Sequence, residues 1–174
     1  GTRKAKTVVV VVGGLLVMVS ATFGGLAILG DYYYFNAWKF YQQKDYRGAR
    51  DSLEKTIQYR FLDRFLAYDL LGISHFKLQN WDAAVGALRQ SLYYHRNSAR
   101  GYYYLGISLI KKREFETALA SMRKAVELNS LSALFYAGLG QALGHLNSYP
   151  EALDAIEESL RLDSESPDAH YTKG

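Results

Sequence analysis

Along this chain of 174 residues the hydrophobic pattern changes character once. Thr7 to Gly30 holds 24 consecutive uncharged residues, among them Val8 to Val12, Leu15 to Val19, Phe23, Leu26, Ile28 and Leu29. From Asp31 onward charged and polar residues are interleaved with apolar ones. Asn80, Ser148 and Pro150 interrupt that pattern, and Pro150 suits a first helical turn. The uncharged run predicts one long apolar helix, and the expectation of an all-α chain comes from the repeat that fills the rest.

As a helix, residues 7–30 would reach about 36 Å, at about 1.5 Å per residue, and a hydrocarbon core is about 30 Å thick. Residues 1–6 are then a basic flank, with Arg3, Lys4 and Lys6, and residues 7–30 a single transmembrane helix. A secretory signal peptide is the competing reading, but the uncharged run is longer than a usual apolar region of that kind. Gly13, Ser20 and Gly24 fall on one stripe of this helix, and Gly14, Ala21 and Gly25 on the next. Ser20 to Gly24 and Ala21 to Gly25 have the small-xxx-small spacing that lets another membrane helix approach closely. The alternative is the general frequency of glycine in membrane helices. The three cations before the span lie closer to it than Lys39, Lys44 and Arg47 after it. That favours a cytoplasmic N-terminus and a translocated C-terminal domain, periplasmic if the cell is bacterial.

Self-comparison of the remainder gives a period of 34 residues. Leu71-Gly72 recurs as Leu105-Gly106 and Leu139-Gly140. Tyr68, Tyr102 and Tyr136 keep the interval, as do Ala84, Ala118 and Ala152, and the apolar Leu88, Met122 and Ile156. Trp81, Phe115 and Tyr149 each precede an alanine by three. Glycine and alanine on facing helices admit a close backbone approach, and the large residue four beyond the alanine fills space against the next unit.

These motifs make residues 31–166 resemble the tetratricopeptide repeat family. The family's W-x2-L-G-x2-Y element reads here Tyr68-x2-Leu71-Gly72-x2-His75, then Tyr102 to Leu109 and Tyr136 to Leu143. The resemblance implies an α-solenoid of about four helix-turn-helix repeats, 30–64 (divergent), 65–98, 99–132 and 133–166. Residues 167–174 open a further helix or a truncated repeat. In the divergent unit Asn36-Ala37 stands for the Leu-Gly pair.

Catalytic chemistry has little to stand on. Cysteine is absent, and the four histidines lie apart, with no nucleophile or carboxylate pair at a meaningful spacing. His75 occupies a place where the repeat packs an aromatic ring. The glycine pairs lie in the apolar run, where they cannot cradle a phosphate. Neither an enzyme, a cofactor nor a metal site is expected. Past Asp31 there are 18 Lys/Arg against 17 Asp/Glu, so nucleic acid is not an expected partner.

In the family the first helices of successive units line a concave groove. Carried onto this chain, that implies a protein-binding groove of Tyr34, Trp38, Tyr41 and Gln42, then Asp69, Ile73, Phe76 and Lys77. Arg100, Tyr103, Ile107, Ile110 and Lys111 follow, then Gln141 and His145. The family's chaperone-binding members clamp a carboxylate with lysine at the fifth and asparagine at the ninth position of the repeat. Here Tyr34, Asp69, Tyr103 and Ala137 fill the fifth, and Trp38, Ile73, Ile107 and Gln141 the ninth. An extended segment or amphipathic helix with apolar anchors fits this groove better than an acidic tail.

Tyrosine is overused, with 15 residues and runs at 32–34, 93–94 and 102–104. Tyr32 to Phe35 suit either an interfacial aromatic belt or the groove, and Tyr103 and Tyr104 either an interface or ordinary packing. Lys111-Lys112-Arg113 falls in a turn and reads as a solvated loop. Charge is polarised: residues 31–132 hold 16 Lys/Arg against 10 Asp/Glu, and residues 133–174 hold 2 against 7. The basic units suit anionic head groups, or the two poles steer docking. The whole reads as a membrane-anchored interaction scaffold, a subunit of a larger membrane complex. Its expected partners are the bilayer and other subunits, met through the transmembrane helix and the groove. A transient assembly factor and an organelle import receptor are the alternatives.

Overall fold

The computed structural model describes residues 24–59 and 64–163. It contains eight helices among them: α1 (24–42), α2 (Tyr46–Tyr59), α3 (Arg64–Lys77), α4 (Trp81–Tyr94), α5 (Ala99–Lys111), α6 (Phe115–Leu128), α7 (Ala133–His145) and α8 (Tyr149–Leu162). No described helix is long and apolar enough to cross a membrane. Most of the expected span, its basic flank, and the expected opening at 167–174 lie outside the described residues.

Consecutive helices pair as α1/α2, α3/α4, α5/α6 and α7/α8, and the four turns share one hydrogen-bond pattern. In the first, Asp45 N donates to Phe40 O at 2.9 Å and Lys44 N to Tyr41 O at 3.0 Å. Asn80 to His75 with Gln79 to Phe76, Glu114 to Leu109 with Arg113 to Ile110, and Ser148 to Leu143 with Asn147 to Gly144 repeat it. This is a Schellman closure, which needs a left-handed residue at its fifth position. Lys44, Gln79, Arg113 and Asn147 hold φ of 60 to 64° there, and none of them is glycine. The residue that completes each closure also stands just before the next helix, so three residues suffice to reverse the chain. Ser148 stands at that place before α8, and Pro150 lies in the first turn of α8 as expected.

Glycine is needed inside the helices instead. A Cβ at Gly72 would stand 2.5 Å from Leu88 Cγ, one at Gly106 2.7 Å from Met122 Cε, and one at Gly140 2.5 Å from Ile156 Cδ1. The large residue four beyond each alanine therefore seats on the glycine of its own hairpin. Met122 reaches the next unit as well, 2.9 Å from the Cβ position of Gly138. Leu88 and Met122 are fully buried, and burying such a side chain contributes about 1.5–3 kcal/mol.

Around Met122 the main core gathers Val85, Leu92, Leu105, Leu109 and Ala142, joining the second, third and fourth hairpins. A second cluster of Ala37, Leu53, Ala67, Leu70, Leu71 and Ala87 joins the first hairpin to the second. Two hydroxyls tie second helices back to first: Ser91 Oγ donates to Phe65 O at 3.0 Å and Ser159 Oγ to Ala133 O at 2.7 Å. Hairpins stack through α2/α3, α4/α5 and α6/α7. First helices also pack on one another, α3 on α5 and α5 on α7, which α4/α6 and α6/α8 do not match. The stack thus curves with first helices on its inner wall.

Candidate protein-binding groove

Aromatic rings cover much of that inner wall. On α1, Trp38 stacks on Tyr41 with centroids 6.3 Å apart, and Tyr41 meets Tyr46 edge-on at 5.6 Å. Phe76 of α3 lies between Trp81 at 5.5 Å and Tyr104 of α5 at 5.2 Å. Tyr103 tilts against Phe135 of α7 at 5.4 Å, and His145 stacks on Phe115 at 4.6 Å. The expected groove residues divide sharply by exposure. Trp38, at 47% exposed, and the cations Lys77, Arg100 and Lys111 stand open to solvent. Tyr34, Tyr41, Phe76, Tyr103 and Gln141 are half-buried, with Tyr34 and Tyr41 packed on the second cluster.

Ile73, Ile107 and Ile110 are 1, 9 and 5% exposed and offer no binding surface. They belong to the core, with Ile107 and Ile110 in the cluster around Met122. Asp69 is also buried, at 6% exposed, but it is not apolar filler. Its Oδ2 accepts from Arg100 Nη2 at 2.5 Å, which ties α3 to α5 across the wall. Asp69 Oδ1 is buried without a hydrogen-bond partner. Desolvation raises the pKa of Tyr41 and Tyr104, and both phenols feel the opposing charges of Arg100 and Asp69. Arg100 is held above its ordinary value: partial burial works the other way, and the Asp69 charge and hydrogen bond outweigh it. The inner wall accordingly has one pinned charge pair in an aromatic surround.

Tyr104, Phe135 and Tyr46 belong to this wall but were not among the groove positions carried over from the repeat. Only Tyr104 had a signal in the sequence, the run 102–104, whose three rings are all half-buried. Tyr93 and Tyr94 are the exposed run, 70 and 51% exposed. The basic triplet differs from a solvated loop at Lys112, whose Nζ pairs with Asp82 at 2.8 Å and Glu114 at 2.7 Å, joining the second and third hairpins. His75 is half-buried in α3 as packing predicts, but its Nδ1 is buried without a partner and desolvation lowers its pKa. No group of acidic and histidine side chains that could hold a metal occurs among the described residues. Of the small residues assigned to membrane-helix packing, Gly13, Gly14, Ser20 and Ala21 lie outside the described residues. Gly24 and Gly25 are exposed and face open space.

Paired helices of this length, stacked with a glycine-to-large-residue contact in successive hairpins, define an α-solenoid interaction scaffold. The chain belongs to the tetratricopeptide repeat family, whose model matches residues 36–99, 70–133 and 103–167. A search of curated proteins returns no match. Among solved structures, the chain is similar to YrrB, described as a repeat protein with an unusual peptide-binding site. The likeness has a TM-score of 0.76 and 18% identity, covering 92% of this chain and 87% of that one. It is also similar to MamA from Desulfovibrio magneticus RS-1, at a TM-score of 0.72 and 20% identity over 79% and 77% of the two chains. The first repeat domain of Spaghetti (RPAP3), solved with an HSP90 peptide, matches at a TM-score of 0.59 and 20% identity over 62% and 85%. At these identities the likeness shows the fold alone.

Proposed function

We propose that this chain is a membrane-anchored scaffold that holds a partner protein in its aromatic groove, as a resident subunit of a larger membrane complex. The observation that carries the reading is the junction at α1. Its described part, 24–42, is one unbroken helix that includes the last residues of the uncharged run and the first repeat. An anchor spanning residues 7–30 would therefore pass directly into the wall of the groove. The groove's exposed indole, its tyrosines and its cations suit an extended segment or amphipathic helix bearing apolar anchors. Anchoring confines the groove to a surface, so modest contacts act at high effective concentration. The flanking cations support a cytoplasmic N-terminus with the repeats translocated. The small residues from Gly13 to Gly25 support packing against another subunit's helix.

The test is gentle detergent extraction, sizing, and mass spectrometry of what co-migrates. Stoichiometric co-migration with one large membrane assembly is the expected result. A monomer with traces of several clients would replace the resident subunit with an assembly factor or receptor. Recovery in the aqueous fraction without detergent would end the anchored reading.

A further inference from the structure

Helix α1 has two opposed apolar faces, and only one is used by the array. Ala37 is fully buried, Gly30 is buried, and Tyr41 packs beside them against the second cluster. Half a turn away, Ile28, Tyr32 and Phe35 are 71, 59 and 68% exposed, and Lys39 is exposed beyond them. The spacings of four, three and four place these four residues on one stripe. A terminal helix of a repeat array needs a polar outer face to remain soluble, and this one has an aliphatic residue and two aromatic ones. A preceding repeat would have to cover the stripe with an amphipathic second helix, yet residues 7–23 carry no charge at all.

Order along the stripe identifies the occupant. Reading away from the uncharged run, the side chains go from aliphatic to aromatic to cationic. That is the sequence of environments a helix crosses on leaving a bilayer: hydrocarbon, the head-group boundary, then anionic phosphate. We propose that the Ile28–Tyr32–Phe35–Lys39 stripe lies against the lipid surface, so that the first repeat itself is seated in the head-group region. This inference rests on the anchored reading above and adds the face of the array that meets the membrane. Trp38, on the groove side of α1, then lies close to the bilayer surface, and the groove opens beside it.

The chain has no cysteine, so Phe35→Cys and Tyr94→Cys each give one labelling site on an exposed side chain. The full chain, carrying a nitroxide at either site, is reconstituted in phosphatidylcholine–phosphatidylglycerol vesicles. Collision with oxygen is then compared with collision with a water-soluble nickel chelate. The expected result is an oxygen-to-nickel ratio several-fold higher at 35 than at 94. Vesicle flotation with a low ratio at 35 would overturn the stripe and leave the anchor standing. Poor access of both reagents to 35 would also overturn it, by showing a protein cover such as residues 1–23 or a second copy. Failure to float with vesicles would overturn the anchor and the stripe together.

Discussion

Arg100 Nη2 donates to Asp69 Oδ2 across two successive first helices, while Asp69 Oδ1 stays buried and unpartnered. The two residues stand unequally: the Asp69 side chain is 8% exposed and that of Arg100 62%. Removing the arginine strands a buried carboxylate, whereas neutralising the aspartate frees an arginine that water already reaches. Arg100→Ala should therefore lose more stability than Asp69→Asn, by about 1–2 kcal/mol after allowing for the exposed partner. Urea unfolding of both variants and of the double variant measures the coupling. Losses that simply add in the double variant would mean that the pair does not hold the wall together.

Glycines in this array divide by what a methyl group would meet. At Gly72 it would press on Leu88 Cγ and, at 3.2 Å, on the Leu88 backbone nitrogen. At Gly106 it would meet the flexible end of Met122, and at Gly86 nothing within 4 Å. Gly72→Ala should cost about 1–3 kcal/mol, Gly106→Ala less, and Gly86→Ala should gain about 0.4–1 kcal/mol. Thermal denaturation of the three single variants checks the order, and a loss at Gly86 would contradict it.

The Ser91 and Ser159 ties have no counterpart in the third hairpin, where the 34-residue period puts the fully buried Ala125. Ser159→Ala should lose about 1 kcal/mol, since it removes one buried hydrogen bond. Ala125→Ser should recover a smaller gain by donating to the carbonyl of Ala99. Denaturant midpoints distinguish this from overpacking, which would make Ala125→Ser a loss.

His75 carries a pH dependence of definite sign. Burial lowers its folded pKa, Glu54 opposes that and Arg50 adds to it, so the unfolded chain binds its proton more readily. The contribution is complete above the unfolded value of about 6.5 and is lost as the pH falls below it. Unfolding midpoints at about pH 7.5 and about pH 5.5 should separate in the wild type. The separation should shrink in His75→Phe, and an unchanged separation would clear His75 of the effect.

Groove and core substitutions should separate function from folding. Trp38→Ala removes a ring that is half exposed, so partner binding should fall while the melting temperature holds within a degree or two. Ile73→Ala removes a buried side chain and should cost about 2–5 kcal/mol. A Trp38→Ala variant that unfolds while its folded fraction still binds would reverse the assignment.

Much of the fold was legible because Gly72, Gly106 and Gly140 must recur wherever a large residue seats on the facing helix. The wall was less legible. Position within a repeat identifies the face of a helix, but packing against the neighbouring helices decides how much of that face stays open. Ile73, Ile107 and Ile110 were assigned to the groove for this reason and proved to be core. Asp69 and Arg100 lie 31 residues apart, an interval that a 34-residue comparison does not return. Lys44 and Gln79 gave no turn signal, and Arg113 gave no sign of a left-handed residue, because backbone closure, not their side chains, imposes that conformation.

That closure separates two inheritances. Each hairpin reverses through the same pair of main-chain hydrogen bonds, whatever residue occupies the strained position. The pitch of the solenoid is therefore written in backbone and interior glycines, and its surface chemistry in side chains that do not set the pitch. Exposed side chains such as Trp38, Lys77 and Lys111 take no part in that closure, so they can be exchanged while the frame that presents them keeps its shape.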